Sequence, residues 1–300
     1  MTESKGAASN RPDPEPSAHR RLGSPVNARE SPVGGRLPSL GSLLLAQIRY
    51  QLQLLFSSGR AIAVGVGLPV ILMLASKGTG THSHPNVAGY AVFGLTITAW
   101  STYGLQLVAA REAGVLKRWR STPLPRWCYF VGRILATALA ATLAGMVTVL
   151  AAVVLWGPHF GEGSAVQVNY TVALAILVAC VLGALAWAAT ATAFSSLIPS
   201  VEAAFPLLIL TYFPVVIISG VLFSIVEPHW LSTLATYLPA QPLLDAVTGA
   251  VRHGPGAPFI PGHDLGVLAG WAGGGLLAAV VLFRWEPHRP KYRRGEPAGL

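Results

Sequence analysis

The chain has 300 residues, of which 52% are hydrophobic and only 11% are charged, and its formal net charge is +9. Soluble globular domains carry about 25% charged residues, more than twice this share. The composition therefore excludes an ordinary soluble domain and predicts a multi-span membrane protein.

The N-terminal segment, residues 1–38, is rich in Pro, Ser and Arg and contains almost no apolar residues. Too little apolar surface is present to form a core, so this segment is predicted to be disordered. The first apolar run begins only near Leu43, which is too far along the chain for a secretory signal peptide. No cleavage is expected.

The segment that follows, "SLLLAQIRYQLQLLFSS", is amphipathic when read as a helix over about 42–58. Arg49, Gln53 and Ser57 lie on its polar face. The opposite face carries Leu44, Leu45, Ile48, Leu52, Leu55 and Phe56. This pattern predicts a helix that lies in the cytoplasmic membrane interface.

Six later runs have roughly the apolar length that a helix needs to cross a hydrocarbon core about 30 Å thick. They cover approximately 61–76, 87–110, 129–156, 169–194, 203–223 and 265–283. The predicted fold is therefore an all-α integral membrane protein with six transmembrane helices. Stretches rich in small residues, such as "GALAWAATATAF" and "WAGGGLLAA", predict close packing between these helices.

Basic residues are concentrated in three segments: eight lie within 1–60, six within 111–133 and five within 284–300. Because Lys and Arg accumulate on the cytoplasmic side of a membrane, both termini and the 111–133 loop are expected inside. The expected organisation is a cytoplasmic tail (1–38), a six-span membrane domain (39–285) and a basic cytoplasmic tail (286–300). This topology accounts for the net charge, and no nucleic-acid partner is expected.

Motifs for catalysis are missing from the sequence. None of Lys5, Lys77, Lys117 and Lys291 follows a phosphate-binding glycine-rich turn, and GxSxG and HExxH do not occur. We therefore expect no enzyme activity, no catalytic residue and no cofactor in this chain. The histidines of the outer loops are expected to be solvated, with a metal site at "HSH" as the weaker alternative.

Prolines mark two further features. Pro206 and Pro214 interrupt the predicted fifth span, either as packing features or as kinks used in gating. The segment at about 228–250, before the last span, is moderately apolar but broken by Pro228, Pro239 and Pro242. It is predicted to form one or two short re-entrant helices on the outer side, with an ordinary amphipathic loop as the alternative.

The basic stretch "REAGVLKRWRSTPLP", residues 111–125, lies between the second and third predicted spans. A short helix would place Val115, Leu116 and Trp119 on one face, with most of the basic side chains elsewhere. Thr122 and Pro123 form a good N-cap and first position for the next helix. An apolar face with a basic rim, directed at the cytosol, predicts a docking surface for a soluble protein.

Two stretches resemble a known family. "REAGVLKRWRSTPLPRWCYFVGRIL" resembles the E..G.L.R.R.TPL....Y..G.. signature of permease subunits of type-2 ABC exporters, the daunorubicin-resistance-like class. "SGVLF...EP.WL......LPA.PL.DA" is similar to the stretch that precedes their last span. The resemblance covers roughly residues 40–285, while the tail 1–38 has no counterpart.

This resemblance implies a six-span permease that forms a homodimer and binds two copies of a separate cytoplasmic ATPase, which would hold ATP and Mg. It also implies a coupling helix at about 111–120 that contacts the ATPase. The positions that match the contact motif are Glu112, Gly114, Leu116, Lys117, Arg118 and Trp119, and Val115 lies on the same predicted docking face.

The expected function is export of a hydrophobic or amphiphilic compound, such as a drug, polyketide or lipid, with multidrug or antibiotic resistance as a possible consequence. The alternatives are a permease for lipid-linked glycans or, in a different class, a membrane scaffold or membrane-embedded enzyme without transport. The composition, rich in Ala, Gly, Pro and Arg, favours a bacterial plasma membrane as the location.

Overall fold

A computed structural model describes residues 40–78, 86–115, 126–156, 170–223, 228–253 and 262–282. These residues form helices and turns and no strand, which confirms the predicted all-α class. The two predicted tails, 1–38 and 286–300, lie outside the described residues. The elements are α1 (Leu40–Ser57), α2 (Gly59–Ile62), the π-helical segment π1 (Ala63–Gly67), α3 (Leu68–Gly78), α4 (Val87–Ile97), the π-helical segment π2 (Thr98–Thr102), α5 (Tyr103–Glu112), α6 (Arg126–Trp156), α7 (Tyr170–Ser195), α8 (Val201–Ile218), α9 (His229–Ala235), α10 (Ala240–His253) and α11 (Gly262–Leu282).

Five helices among the described residues are long and apolar enough to cross a membrane. They are Gly59–Ser76, Tyr129–Leu155, Ala173–Ser195, Val201–Ile218 and Gly262–Leu282. The predicted second span, 87–110, is not among them, because Thr, Ser, Gln and aromatic residues dilute its apolar composition. The prediction of a multi-span membrane protein is therefore confirmed, while the count of six stays a prediction.

The predicted second span is the helix that the others enclose. Elements α4, π2 and α5 follow one another without a break over 87–112, and we call this run the buried helix. Every residue from Ala91 to Ser101 is buried. A helix that other helices enclose does not need a lipid-compatible surface, so polar side chains are tolerated on it when they find partners inside the protein.

Those partners come from α7 and α8. The Thr96 and Tyr212 hydroxyls lie 2.8 Å apart, and the Trp100 indole N–H donates to the Leu208 carbonyl at 3.0 Å. The Tyr103 and Thr192 hydroxyls lie 2.9 Å apart. An unpaired polar group away from water costs several kcal/mol. These bonds avoid that cost and thereby fix the buried helix against α7 and α8.

Aromatic rings fill the space between the same helices. The Trp100 ring stacks on the Phe194 ring at a centroid distance of 5.3 Å and meets the Trp187 ring edge-on at 5.6 Å. Trp187 in turn packs edge-on against Tyr212 at 5.7 Å. Edge-to-face and offset stacks are the preferred aromatic geometries, and here they join the buried helix, α7 and α8 into one core.

The end of α8 differs from the predicted fifth span, 203–223. The helix begins at Val201 and ends at Ile218, because Gly220 adopts a left-handed conformation with φ of 68°. The Gly220 amide donates to the Ile217 carbonyl, and the Val221 amide donates to the Val216 carbonyl. This pair of bonds closes a helix at its C-terminus. The predicted span ran too far because the residues beyond Ile218 are also apolar.

Helices α1, α9 and α10 correspond to segments that were predicted to lie outside the six spans. Helix α1 corresponds to the predicted interfacial helix; it buries Gln47, whose side chain packs near Gly132 of α6, and leaves Leu45 exposed. Helices α9 and α10 occupy the segment predicted to be re-entrant, and Leu243 of α10 packs against Gly183 of α7. The interfacial and re-entrant placements of these helices stay predictions.

The close packing predicted for small residues is present between α7 and α11. A Cβ atom built on Gly275 would lie 2.7 Å from the Thr190 amide nitrogen and 2.9 Å from the Ala189 carbonyl carbon. Only glycine allows the two backbones to approach so closely. Gly65 has the same role in π1, where an added Cβ would meet the Thr98 hydroxyl, whereas Gly67 faces open space.

Replacing Gly275 with alanine is expected to destabilise the protein by about 1 to 3 kcal/mol, because the added methyl group would meet the backbone of α7. Gly274 is the matched control, since a Cβ built there has no heavy atom within 4 Å. Thermal unfolding in one detergent, followed by tryptophan fluorescence, measures both variants. Equal unfolding midpoints for Gly275→Ala and Gly274→Ala would contradict this packing.

Candidate functional site

The loop at 111–125 begins where α5 ends. Glu112 is the last residue of α5, and Gly114 follows with φ of 67°, a conformation that residues with a side chain rarely adopt. The Ala113 amide donates to the Ala109 carbonyl and the Gly114 amide to the Arg111 carbonyl. Gly114 therefore ends the buried helix and redirects the chain.

This turn corrects the start of the predicted coupling helix, 111–120. Arg111 and Glu112 belong to the last turn of α5 and are separated from Val115 by the break at Ala113 and Gly114. A single helix over 111–120 is therefore wrong at its N-terminal end, because Gly114 ends α5 there. Val115 is exposed at the start of the loop. The other predicted site residues of this loop, Leu116, Lys117, Arg118, Trp119, Thr122 and Pro123, lie outside the described residues.

Arg111 contacts the C-terminal end of α7. Its side chain is only 2% exposed. Its guanidinium donates to the Ser195 carbonyl at 3.2 Å and to the Ser196 carbonyl at 3.3 Å. A third bond goes to the Ile198 carbonyl. Carbonyls at a helix C-terminus lack partners within the helix and carry partial negative charge, so a buried cation stabilises them.

Glu112 contacts the N-terminal end of α8. Its carboxylate accepts a hydrogen bond from the Val201 amide at 2.7 Å, and Val201 is the first residue of that helix. The Ser200 hydroxyl accepts a bond from the Ala203 amide at 3.3 Å and caps the same turn. A negative charge at a helix N-terminus satisfies a free N–H and interacts favourably with the helix dipole.

Two consecutive residues of α5 thus match two helix ends of opposite polarity. The cation of Arg111 lies at the C-terminus of α7, and the anion of Glu112 lies at the N-terminus of α8. We call these two residues, with the carbonyls and the amide that they bond, the clamp. The clamp fixes the connection between α7 and α8 to the base of the 111–125 loop.

Sequence reasoning found only part of the clamp. It placed Glu112 on a partner surface and counted Arg111 as a charge that sets topology. The usable signal was the short connection "SSLIPSVE", which joins two helices and supplies no basic residue to its own helix end. A neighbouring helix can supply what such a connection lacks, namely a cation for the C-terminus of α7 and an anion for the N-terminus of α8.

A second buried arginine lies on α6. The Arg133 guanidinium donates to the Tyr129 hydroxyl at 2.6 Å, and its central carbon lies 5.6 Å from the centroid of the Tyr103 ring. The negative face of an aromatic ring stabilises a cation that is removed from water. Because Tyr103 also bonds Thr192, this contact connects α6 to α5 and α7.

The two prolines of α8 do not end the helix. Both lie inside Val201–Ile218, and both side chains are exposed. Each lacks an amide N–H, so the carbonyls of Glu202 and Leu210, four residues earlier, lose their helical donors. A gating role for Pro206 and Pro214 stays a prediction.

Potential metal ligands also occur within the described ranges. His, Cys, Asp and Glu side chains there form no group of three or more that could hold a metal ion. His263 and Asp264 form a pair, with 3.3 Å between Nδ1 and Oδ1. Burial raises the pKa of Asp245, and the negative charge of Asp264 raises it further. A hydrogen bond with the Gln241 side chain lowers the same pKa. Cys180 is buried as a free thiol.

Replacing Arg111 with methionine is expected to lower the free energy of unfolding by about 3 kcal/mol or more, because charge-assisted hydrogen bonds are worth about 1.5 to 3 kcal/mol each. Arg111→Lys should fall between, since one ammonium cannot reproduce the planar guanidinium fork. The control is Arg49→Met, whose exposed side chain should change stability by less than about 0.5 kcal/mol. Denaturation in a fixed detergent measures all three. An Arg111→Met protein as stable as Arg49→Met would contradict the contacts at α7.

Comparison with known proteins places the chain in a family. The sequence model of a family described as ABC-2 family transporter protein matches residues 61–281. No curated protein matches the chain. The matched region runs from the start of the first membrane helix to the end of α11 and includes the clamp and the 111–125 loop. Members of this family are membrane permeases, a transport component that works with an ATPase. The chain belongs to the ABC-2 family of transporter proteins.

Proposed function

We propose that this chain is the permease subunit of an ABC exporter, which moves a hydrophobic or amphiphilic compound out of the cell. A separate cytoplasmic ATPase, which binds ATP and Mg, drives it. The observation that carries this proposal is the family match over 61–281, which spans all five membrane helices and the basic loop. Family membership also favours transport over a scaffold or a membrane-embedded enzyme.

The proposed topology has six spans, with the buried helix as the second. At about 1.5 Å per residue, a helix over 87–112 is longer than the roughly 30 Å hydrocarbon core. Its polar side chains meet partners on α7 and α8, so lipid does not have to solvate them. Both termini and the 111–125 loop are then cytoplasmic, in a bacterial plasma membrane.

The 111–125 loop is the proposed docking surface for the ATPase. It leaves α5 at a fixed turn, with Val115 exposed at its start. The proposal assigns apolar contact and positive charge to Leu116, Lys117, Arg118 and Trp119, and it assigns the start of the next helix to Thr122 and Pro123. A buried aromatic anchor with a charged rim is a common arrangement for a tight protein contact.

We propose a homodimer, in which two copies of the chain bind two ATPases. Several membrane helices present apolar faces that nothing in the described chain covers. On α6 these include Leu150 and Val154, and on α11 they include Val280 and Val281. Lipid and a second copy are the proposed neighbours of these faces. The scarcity of charged residues in the membrane helices supports a hydrophobic cargo.

The Trp119→Ala variant tests the docking surface. The chain is co-expressed with an ABC ATPase from the same organism, and the amount of ATPase that co-purifies is measured together with ATP hydrolysis. Loss of an aromatic anchor costs about 2 kcal/mol, so affinity for the ATPase should fall about thirtyfold. The matched control is Trp230→Ala on α9, an exposed tryptophan remote from the loop in sequence. No ATPase bound to the unmodified chain, or equal losses in the two variants, would contradict the proposal.

A further inference from the structure

The clamp links the proposed docking loop to two helices that the loop does not join in sequence. Arg111 and Glu112 lie directly before the turn at Gly114, so force on the loop enters α5 through them. Their partners are the last carbonyls of α7 and the first amide of α8. We infer that Glu112 is a positioning residue, which transmits movement of the docking loop to α8 through its hydrogen bond to Val201. This inference rests on the proposed function.

The remaining contacts of α8 explain why the whole helix would follow. The buried helix bonds α8 at three levels along its length: at Val201 through Glu112, at Leu208 through Trp100 and at Tyr212 through Thr96. The bonds at Leu208 and Tyr212 hold α8 to the buried helix farther from the loop, and the Glu112 bond is the one at the end where the loop begins. Rigid elements connected by hydrogen bonds are the physical means by which distant sites are coupled.

The two halves of the clamp differ in strength. Arg111 is buried and makes three bonds, so it holds the end of α7 to α5 in a fixed orientation. Glu112 is exposed and makes one bond to α8. The contact with α8 is therefore the weaker one, and we expect the fold to survive its loss. It is the position at which a substitution separates transmission from folding.

A different role for Glu112 is direct contact with a basic group on the ATPase. The two roles predict different results for glutamine. The amide oxygen of Glu112→Gln still accepts a bond from the Val201 amide, so transmission is kept although the charge is lost. A salt bridge to the partner would be lost in Glu112→Gln and Glu112→Ala alike. Ser200→Ala is a third comparison, because it removes a cap from the same helix turn without removing the link to α5.

Hydrogen exchange on the isolated full-length chain in detergent tests the contact itself, without any partner. In Glu112→Ala, the amides of residues 201–204 should exchange about fivefold faster, since a cap of this helix end is lost. Ser200→Ala should show a similar increase, and Glu112→Gln should exchange as the unmodified chain does. Unchanged exchange in Glu112→Ala would overturn the inference at this first step.

The second measurement uses the complex with the ATPase. Glu112→Ala should still co-purify with the ATPase, while the acceleration of ATP hydrolysis by the permease falls about threefold or more. Glu112→Gln and Ser200→Ala should keep the acceleration. Loss of ATPase binding in both Glu112 variants would overturn the inference in favour of direct contact, and an equal fall in Ser200→Ala would assign the effect to capping alone. If the unmodified chain binds no ATPase, the proposed function fails, even where the exchange result stands.

Discussion

Polar groups inside this membrane protein must find their partners within the protein, and the buried helix is where this constraint acts most strongly. Water is not available in the hydrocarbon core, so each hydroxyl or indole N–H needs a protein acceptor or donor nearby. Thr96, Trp100 and Tyr103 meet theirs on α7 and α8. These bonds fix the buried helix against α7 and α8, and the clamp continues the same principle at the end of α5, where the free groups are the backbone ends of two helices.

Hydropathy predicted most of the described helices. Five of the six apolar runs correspond to helices able to cross a membrane, because a lipid-facing helix must be apolar along its surface. The run at 87–110 has a different composition for a physical reason: neighbouring helices rather than lipid surround it. The end of α8 was placed five residues too late, since the backbone conformation of Gly220 ends the helix and apolarity does not report it.

The site was harder to predict, because its main contacts join residues that are about 90 positions apart in sequence, as Glu112 and Val201 are. The resemblance to permeases of type-2 ABC exporters pointed to Glu112 and Gly114 but could not name their partners. Gly114 proved to be the turn that ends α5, and Glu112 bonds a helix N-terminus. Arg111 was assigned to topology alone, since a count of charges cannot distinguish an exposed arginine from one that bonds three carbonyls.

The central claim is that the 111–125 loop of this permease receives its driving force from an ATPase. The most direct measurement is an electron cryomicroscopy structure of the chain with its ATPase in a lipid nanodisc. The claim predicts that the loop sits on the ATPase, that the buried helix crosses the bilayer, and that Arg111 and Glu112 keep their contacts with α7 and α8. An ATPase bound to another segment, with the loop free in solvent, would contradict it.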